Sequence, residues 1–332
     1  LKKLIIQIPC LNEADTLPAT LADLPRAVAG IDVVEVLVVD DGSKDGTAEV
    51  ARRLGVDHVV RLRRNKGLAA AFMAGIDACI KQGADFIVNT DADNQYAGHD
   101  IPRLLAPLLN GEADIVIGDR NIAELQHMSW RKRQLQRLGS WVVRQVSNTS
   151  VPDTTSGFRA YTREAALRMT VVSEFSYTLE SIIQAGKKRM AIAHVPVATN
   201  ARTRDSRLFD SLFSYVKRSA ATIVRIYAMY EPLKVFTYLG LVVFAAGFVL
   251  GLRLVYYYWL GEAARHIASA IAAAVLMIVG FQVLVIGLLA DVISGNRKLL
   301  EDLVYRIRVL ELPAHRTEDE ERRVTHAGRG ER

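Results

Sequence analysis

Two apolar stretches, residues 235–259 and 267–290, constrain this chain more than anything else in it. Each exceeds the roughly 20 helical residues that cross a bilayer, and the link between them is too short for anything but a hairpin. Arg253 and Arg265 flank the link, where long side chains can reach headgroups. Tyr256, Tyr257, Tyr258 and Trp259 add an aromatic cluster of the interfacial kind. A hairpin leaves both of its ends on one side, and Arg297, Lys298, Arg306 and Arg308 mark that side as cytoplasmic by the positive-inside tendency. The preceding two hundred residues have an ordinary soluble balance, so a cytoplasmic domain beside the membrane is expected.

The chain has 332 residues, of which 50% are apolar, enough for one large core and a second module. Its net charge of +6 is concentrated in residues 131–144, 202–225 and 297–308. Basic stripes near membrane-length apolar runs suit anionic lipid or phosphate-bearing ligands, and no nucleic-acid partner is expected. Cys10 and Cys79 lack metal-ligand spacing, and no secretory leader is read ahead of the first strand, so a reduced compartment is expected. The tail at 313–332 is charged and expected to be disordered.

Apolar runs at 4–8, 33–39, 56–62, 86–88, 115–118 and 191–197 read as strands. Helical patterns at 14–29, 47–54, 68–82, 127–145 and 164–169 alternate with them. This alternation predicts a doubly wound α/β sheet, mostly parallel. Three of the runs end in polar clusters, Asn12 with Glu13, Asp40 with Asp41, and Asp91 with Asp93. Each alone reads as a solvated turn; repeated at the carboxyl ends of strands, they mark the edge where open sheets bind ligands. Carboxylates one residue apart, as in Asp91-Ala92-Asp93, can both reach an oxygen-coordinated divalent cation whose other positions go to water and phosphate. The helix at 127–145 is basic and Trp-bearing, which fits either an interfacial helix or a packed surface helix. An arginine-rich loop at 202–207 leads into an amphipathic helix at 208–230.

Six ordered motifs carry a resemblance. Pro9-Cys10-Leu11-Asn12-Glu13, Asp40-Asp41-Gly42-Ser43 with Asp45-Gly46-Thr47, Asn65-Lys66-Gly67, Asp91-Ala92-Asp93-Asn94-Gln95, Gly118-Asp119-Arg120 and Ser156-Gly157-Phe158-Arg159 resemble family 2 glycosyltransferases. Within that family the chain is similar to the polyprenyl-phosphate glycosyltransferases, the dolichyl-phosphate mannose synthase and undecaprenyl-phosphate glucosyltransferase group.

The resemblance implies a GT-A fold, a nucleotide sugar donor (UDP-glucose or GDP-mannose), Mg2+ or Mn2+ as cofactor, inversion at the anomeric centre and a polyprenyl phosphate acceptor. It would place Pro9, Leu11, Glu13, Asp40 and Asp41 at the base and ribose, Asp91 at the nucleotide sugar, and Asp93 with Gln95 at the metal. Arg120 and Arg202 would join the donor phosphates. Arg120, Arg133, Arg137, Arg204 and Arg207 are candidates for the acceptor phosphate. Asp153 occupies the position of a catalytic base, and orienting a loop is an equally good role for it. Leu68 follows Asn65-Lys66-Gly67 where relatives often carry a Lys-Gly pair, a departure that removes the expectation of close phosphate contact there.

The expected organisation is a catalytic domain at 1–206, a juxtamembrane helix at 207–232, two spans at 233–290, a C-terminal helix at 291–312 and the tail. A homo-oligomer in a bacterial inner membrane is expected. A processive polysaccharide synthase of the same fold is the enzyme rival, but Gln134 to Trp141 lacks the Gln-x-x-Arg-Trp spacing. A phosphotransferase with Asp91 as nucleophile lacks the Thr or Val expected two residues after Asp93. A non-catalytic membrane adaptor would not need the intact Asp93 and Gln95.

Overall fold

The computed structural model describes residues 1–121, 130–171, 177–200, 221, 224–225 and 227–311, with backbone alone for 130–138 and 263–264. The chain divides into two compact units, Leu1–Thr222 with Leu303–Arg332, and Ile223–Asp302.

The first unit is built on a seven-stranded sheet. Its strands are β1 (Lys3–Cys10), β2 (Val33–Asp40), β3 (His58–Arg61), β4 (Phe86–Asn89), β5 (Ile115–Asp119), β6 (Arg159–Thr162) and β7 (Ile192–Pro196), in the order β3-β2-β1-β4-β6-β5-β7. β1 pairs in parallel with β2 and β4, β2 with β3, and β5 with β7. β6 runs antiparallel between β4 and β5. From Leu4 onward β1 is buried on both faces, which is why its sequence is nearly continuous in apolar residues. Leu4, Ile6, Ile8, Val38, Val88, Leu104, Val116 and Ala160 form the centre of one core.

Among the described residues the helices of this unit are α1 (Leu17–Asp23), α2 (Thr47–Arg53), α3 (Leu68–Lys81), α4 (Ile101–Leu109), α5 (Trp130–Ser147), α6 (Arg163–Arg168) and α7 (Tyr177–Lys187). The helix expected at 14–29 is shorter, because Leu24 precedes Pro25 and is held extended. Gly75 of α3 lies against the Gln7 side chain of β1, an approach that a Cβ would block. The end of the last helix also belongs here. Tyr305 Oη donates to Glu164 at 3.0 Å, and Arg308 Nη1 donates to the carbonyls of Leu167 and Met169, closing the C-terminal end of α6. Arg308 Nη2 adds an ion pair with Asp77 at 3.1 Å.

The sheet topology fixes where a ligand can sit. Strand order reverses at β1, with β2 and β3 on one side and β4 on the other, so the crevice opens at the carboxyl ends of β1, β2 and β4. In register, Cys10 faces Asp40 and Gln7 faces Asn89. The loops that follow these strands therefore emerge side by side.

Among the described residues the second unit is built on two long helices, Pro232–Trp259 and the part of Ile267–Glu311 up to Asp302, with mean hydropathy of 2.3 and 2.6 over their most apolar windows. Both are long and apolar enough to cross a membrane. They pack antiparallel through small residues, Gly240 against Gly280 and Leu284, Gly247 against Ala273 and Met277, and Gly287 against Phe236. Val242, Phe248, Ile271 and Leu288 remain exposed on their outer faces, the surface that hydrocarbon would cover. The second helix continues without a break to Glu311, so the segment expected as a separate helix at 291–312 is its extension.

Candidate active site

The loops after β1 and β2 interlock. Asn12, in the left-handed region at φ 55°, donates its N–H to Ser43 Oγ and accepts from the Lys44 N–H. Glu13 donates its N–H to Thr47 Oγ1 at 2.9 Å, and its carboxylate accepts from Thr16 Oγ1 at 2.6 Å. Asp40 Oδ1 accepts from the Ser43 N–H at 2.8 Å. Among the described residues nothing hydrogen-bonds its buried Oδ2, which has Arg61 Nε 3.3 Å away as counter-charge. Asp41 receives the Lys66 and Gly67 N–H groups, one on each oxygen, at 2.8 and 2.9 Å. Burial, with Asp40 beside it, raises the Asp41 carboxyl despite those two bonds. Asp41 therefore fastens the Asn65-Lys66-Gly67 turn to the binding edge. Leu11 is partly exposed beside this cluster, while Pro9 is buried opposite Val39.

The loop after β4 brings Asp91, Asp93 and Gln95 to the same edge. Its backbone is pinned from two sides. Thr20 of α1 donates to the Ala92 carbonyl at 2.9 Å, and Asn200 donates its N–H to the Gln95 carbonyl and its amide to the Asn94 carbonyl at 2.9 and 3.0 Å. Asp93 Oδ1 accepts the Gln95 N–H at 3.2 Å. Among the described residues nothing donates a hydrogen bond to Asp91. Burial, then the neighbouring Asp93, pushes its carboxyl up to about 7. No group of three or more His, Cys, Asp and Glu among the described residues could close a metal site unaided. Asp91, Asp93 and the Gln95 amide would leave the remaining positions of an ion to phosphate and water.

Behind Asp91 lies a buried polar network. Gln7 Nε2 donates to Asn89 Oδ1 at 2.9 Å, and Asn89 Nδ2 donates to the Gly157 carbonyl at 2.8 Å and to Tyr177 Oη at 3.0 Å. The Gly157 N–H donates to Tyr96 Oη at 3.0 Å. Tyr177 stacks on Phe72, ring centroids 4.0 Å apart. These contacts set the turn between Asp153 and Arg159. The fully buried Arg159 completes it from below, donating to the carbonyls of Ser156 and Thr154 and to Ser181 Oγ.

On top of this turn, Arg120 and Asp153 form a forked pair, Nε to Oδ2 at 2.7 Å and Nη2 to Oδ1 at 3.0 Å. Arg120 also donates to Thr155 Oγ1 at 3.0 Å, and its guanidinium lies 5.9 Å from the Tyr96 ring centroid. Burial would raise the Asp153 carboxyl, but the Arg120 charge and hydrogen bonds, with Thr155, hold it below the usual range. Its Oδ1 already accepts from Thr155 and Ser156 as well.

The structure thus gathers Pro9, Leu11, Glu13, Asp40, Asp41, Asp91, Asp93, Gln95 and Arg120 at the ends of strands and in the loops that follow them, with Asp153 brought to Arg120 from the turn before β6. Arg133 and Arg137 fall on α5, where the backbone alone is described, and Arg202, Arg204 and Arg207 lie outside the described residues. Gln7, Asn89, Tyr96, Tyr177 and Asn200 were not legible as site residues. Gln7 and Asn89 had a detectable signature, since each is an amide within an otherwise apolar strand.

Comparison with known proteins adds the following. The family model described as glycosyl transferase family 2 matches residues 5–169, and the GtrB C-terminal hairpin model matches residues 231–295. The undecaprenyl-phosphate mannosyltransferase of Micrococcus luteus is 30% identical over 200 residues, covering 57% of this chain and 80% of that one. Polyprenol monophosphomannose synthase of Mycolicibacterium smegmatis is 28% identical, covering 60% and 78%. Glycosyltransferase AglJ of Haloferax volcanii is 29% identical over 309 residues, covering 90% and 97%. Among solved structures, glucosyl-3-phosphoglycerate synthase of Mycobacterium tuberculosis, in complex with Mn2+, UDP-glucose and phosphoglyceric acid, shares the fold. It has a TM-score of 0.56 and 22% identity, covering 68% of this chain and 80% of that one.

Proposed function

Since the chain belongs to glycosyltransferase family 2, in its polyprenyl-phosphate glycosyltransferase group, we propose that it transfers a hexosyl unit from a nucleotide sugar to a polyprenyl phosphate. The observation that best supports this reading is the convergence of Asp40, Asp41, Asp91 and Asp93 at one sheet edge, in a chain that also has two membrane-length helices. UDP-glucose and GDP-mannose are the donors we favour, and the two relatives named for mannose transfer support the second. The reaction would proceed on the cytoplasmic leaflet of a bacterial inner membrane.

In this reading the loops after β1 and β2 hold the nucleoside. Asp40 and Glu13 supply carboxylate oxygens that can accept ribose hydroxyls, and Leu11 offers an apolar face to the base. Asp93 and Gln95 would hold Mg2+ or Mn2+, with Asp91 beside the sugar; the Asp91 carboxylate, raised by burial and by Asp93, could also reach the ion. The ion would neutralise charge developing on the departing diphosphate.

An acceptor phosphate oxygen attacks the anomeric carbon from the face opposite the diphosphate. The bond to the diphosphate breaks, the configuration inverts, and the nucleoside diphosphate leaves with the bonding pair. Because a phosphate monoester has its second pKa at about 6, the nucleophile is already an anion at neutral pH and needs no strong base. Asp153, committed to Arg120 and the turn, then serves to orient the guanidinium that meets phosphate oxygens.

A donor panel tests the proposal. The full-length protein in detergent, given undecaprenyl phosphate and separately UDP-glucose, GDP-mannose, UDP-galactose or a UDP-N-acetylhexosamine, is expected to yield a lipid-linked monosaccharide phosphodiester with inverted configuration from one of them. Retention of configuration in that product would contradict the mechanism.

A further inference from the structure

Gly157 has no contact with the donor in the proposed function, yet its surroundings leave little room for a side chain. A Cβ built on it would lie 3.0 Å from both oxygens of Asp91 and 2.9 Å from Tyr177 Oη. Its backbone sits outside the left-handed region, so an alanine would meet no conformational obstacle, only a spatial one. Something in that contact would have to move.

The surrounding bonds decide what moves. The Gly157 peptide is held at its N–H by Tyr96 and at its carbonyl by Asn89. The Tyr177 hydroxyl is held by Asn89 and its ring by Phe72, both fully buried. Asp91 is half-buried, and no hydrogen-bond donor among the described residues holds its carboxylate. Of the three, Asp91 is the group free to yield.

We propose that Gly157 is a positioning residue that sets the location of the Asp91 carboxylate, with the pinned Tyr177 hydroxyl as the fixed stop behind it. A methyl group at 157 drives Asp91 out of place, and removing the Tyr177 hydroxyl gives that methyl somewhere else to go. The proposal rests on Asp91 belonging to the donor and metal site, as proposed above.

The test uses the full-length protein and reads binding rather than turnover. Mn2+ affinity by EPR titration in the presence of UDP or GDP, and the melting temperature, are compared for wild type, Gly157→Ala, Tyr177→Phe, the Gly157→Ala/Tyr177→Phe pair and Asp91→Ala. Residues that support metal ligands from behind typically affect affinity by about 10- to 100-fold, and a loss of that order is expected for Gly157→Ala. The double variant is expected to bind more tightly than Gly157→Ala alone, a rescue that a general packing role would not produce. Wild-type affinity in Gly157→Ala, or a double variant that binds no better than it, overturns the proposal. If Asp91→Ala itself binds as wild type, the site assignment fails instead. Should Gly157→Ala be too unstable to titrate, the Asp91→Ala/Gly157→Ala pair decides the matter. Trimming Asp91 must then restore the melting temperature, and no restoration overturns the proposal.

Discussion

The Arg120 guanidinium grips both oxygens of Asp153, at 2.7 and 3.0 Å, and the Asp153 side chain is only 1% exposed. A carboxylate so engaged is a poor base and a good anchor. Breaking a buried pair strands its partner, so Asp153→Asn and Arg120→Gln are each expected to destabilise the catalytic unit by about 3 kcal/mol. The double variant should lose less than the sum of the two. Unfolding of the purified variants measures this, and strictly additive losses would dismiss the pair.

Asp93→Asn is expected to lower transfer by at least about 100-fold while leaving the melting temperature near wild type. The reason is that charge compensation at a leaving diphosphate is worth several kcal/mol. Asp91→Asn should be severe as well, mainly through the donor. The check is kcat at saturating Mn2+ beside a melting curve; wild-type kcat in Asp93→Asn would remove Asp93 from the metal site.

A third expectation concerns acid. Burial would raise the Glu35 carboxyl, but Lys3 Nζ and His58 Nε2, each 2.7 Å away, hold it below its ordinary value. The unfolded chain therefore takes up this proton first as pH falls. Stability from Glu35 is complete above the ordinary carboxyl range and is lost as pH drops through the lower folded value. Melting temperatures recorded between about pH 6 and pH 3 should fall more steeply for wild type than for Glu35→Gln. Parallel curves would contradict the assignment.

Much of this was visible in the chain beforehand, for physical reasons. β1 from Leu4 and β2 from Leu37 are buried on both faces and had to be nearly all apolar, and the polar residues that follow, Glu13 and Asp40, located the edge. β6 was not visible, since four residues beginning with a buried Arg159 carry no apolar run; its strand character comes from pairing with β4 and β5. The Asp153–Arg120 fork was equally hidden, because two residues 33 apart reveal their contact only once β5 and the turn before β6 are in place. Likewise, the role of Asn200 depends on a loop 106 residues earlier passing beside it.

Topology offers a fourth prediction. Cys10 and Cys79 are both buried, so an introduced thiol can be read against a quiet background. Gly261 has φ +77°, where a side chain is strained, and Glu262 beside it is the better site. A Cys at Glu262 is expected to react with a membrane-impermeant maleimide added outside intact cells. Labelling only after the cytoplasmic side is opened would refute the hairpin orientation.

The most direct measurement follows a radiolabelled hexose from its nucleotide into the organic phase in the presence of undecaprenyl phosphate and Mn2+, for wild type and Asp93→Asn, with and without excess chelator. Label on the lipid is expected for wild type with metal, and background levels in the other three cases. Equal lipid labelling by wild type and Asp93→Asn, or by wild type with the metal chelated, would contradict it.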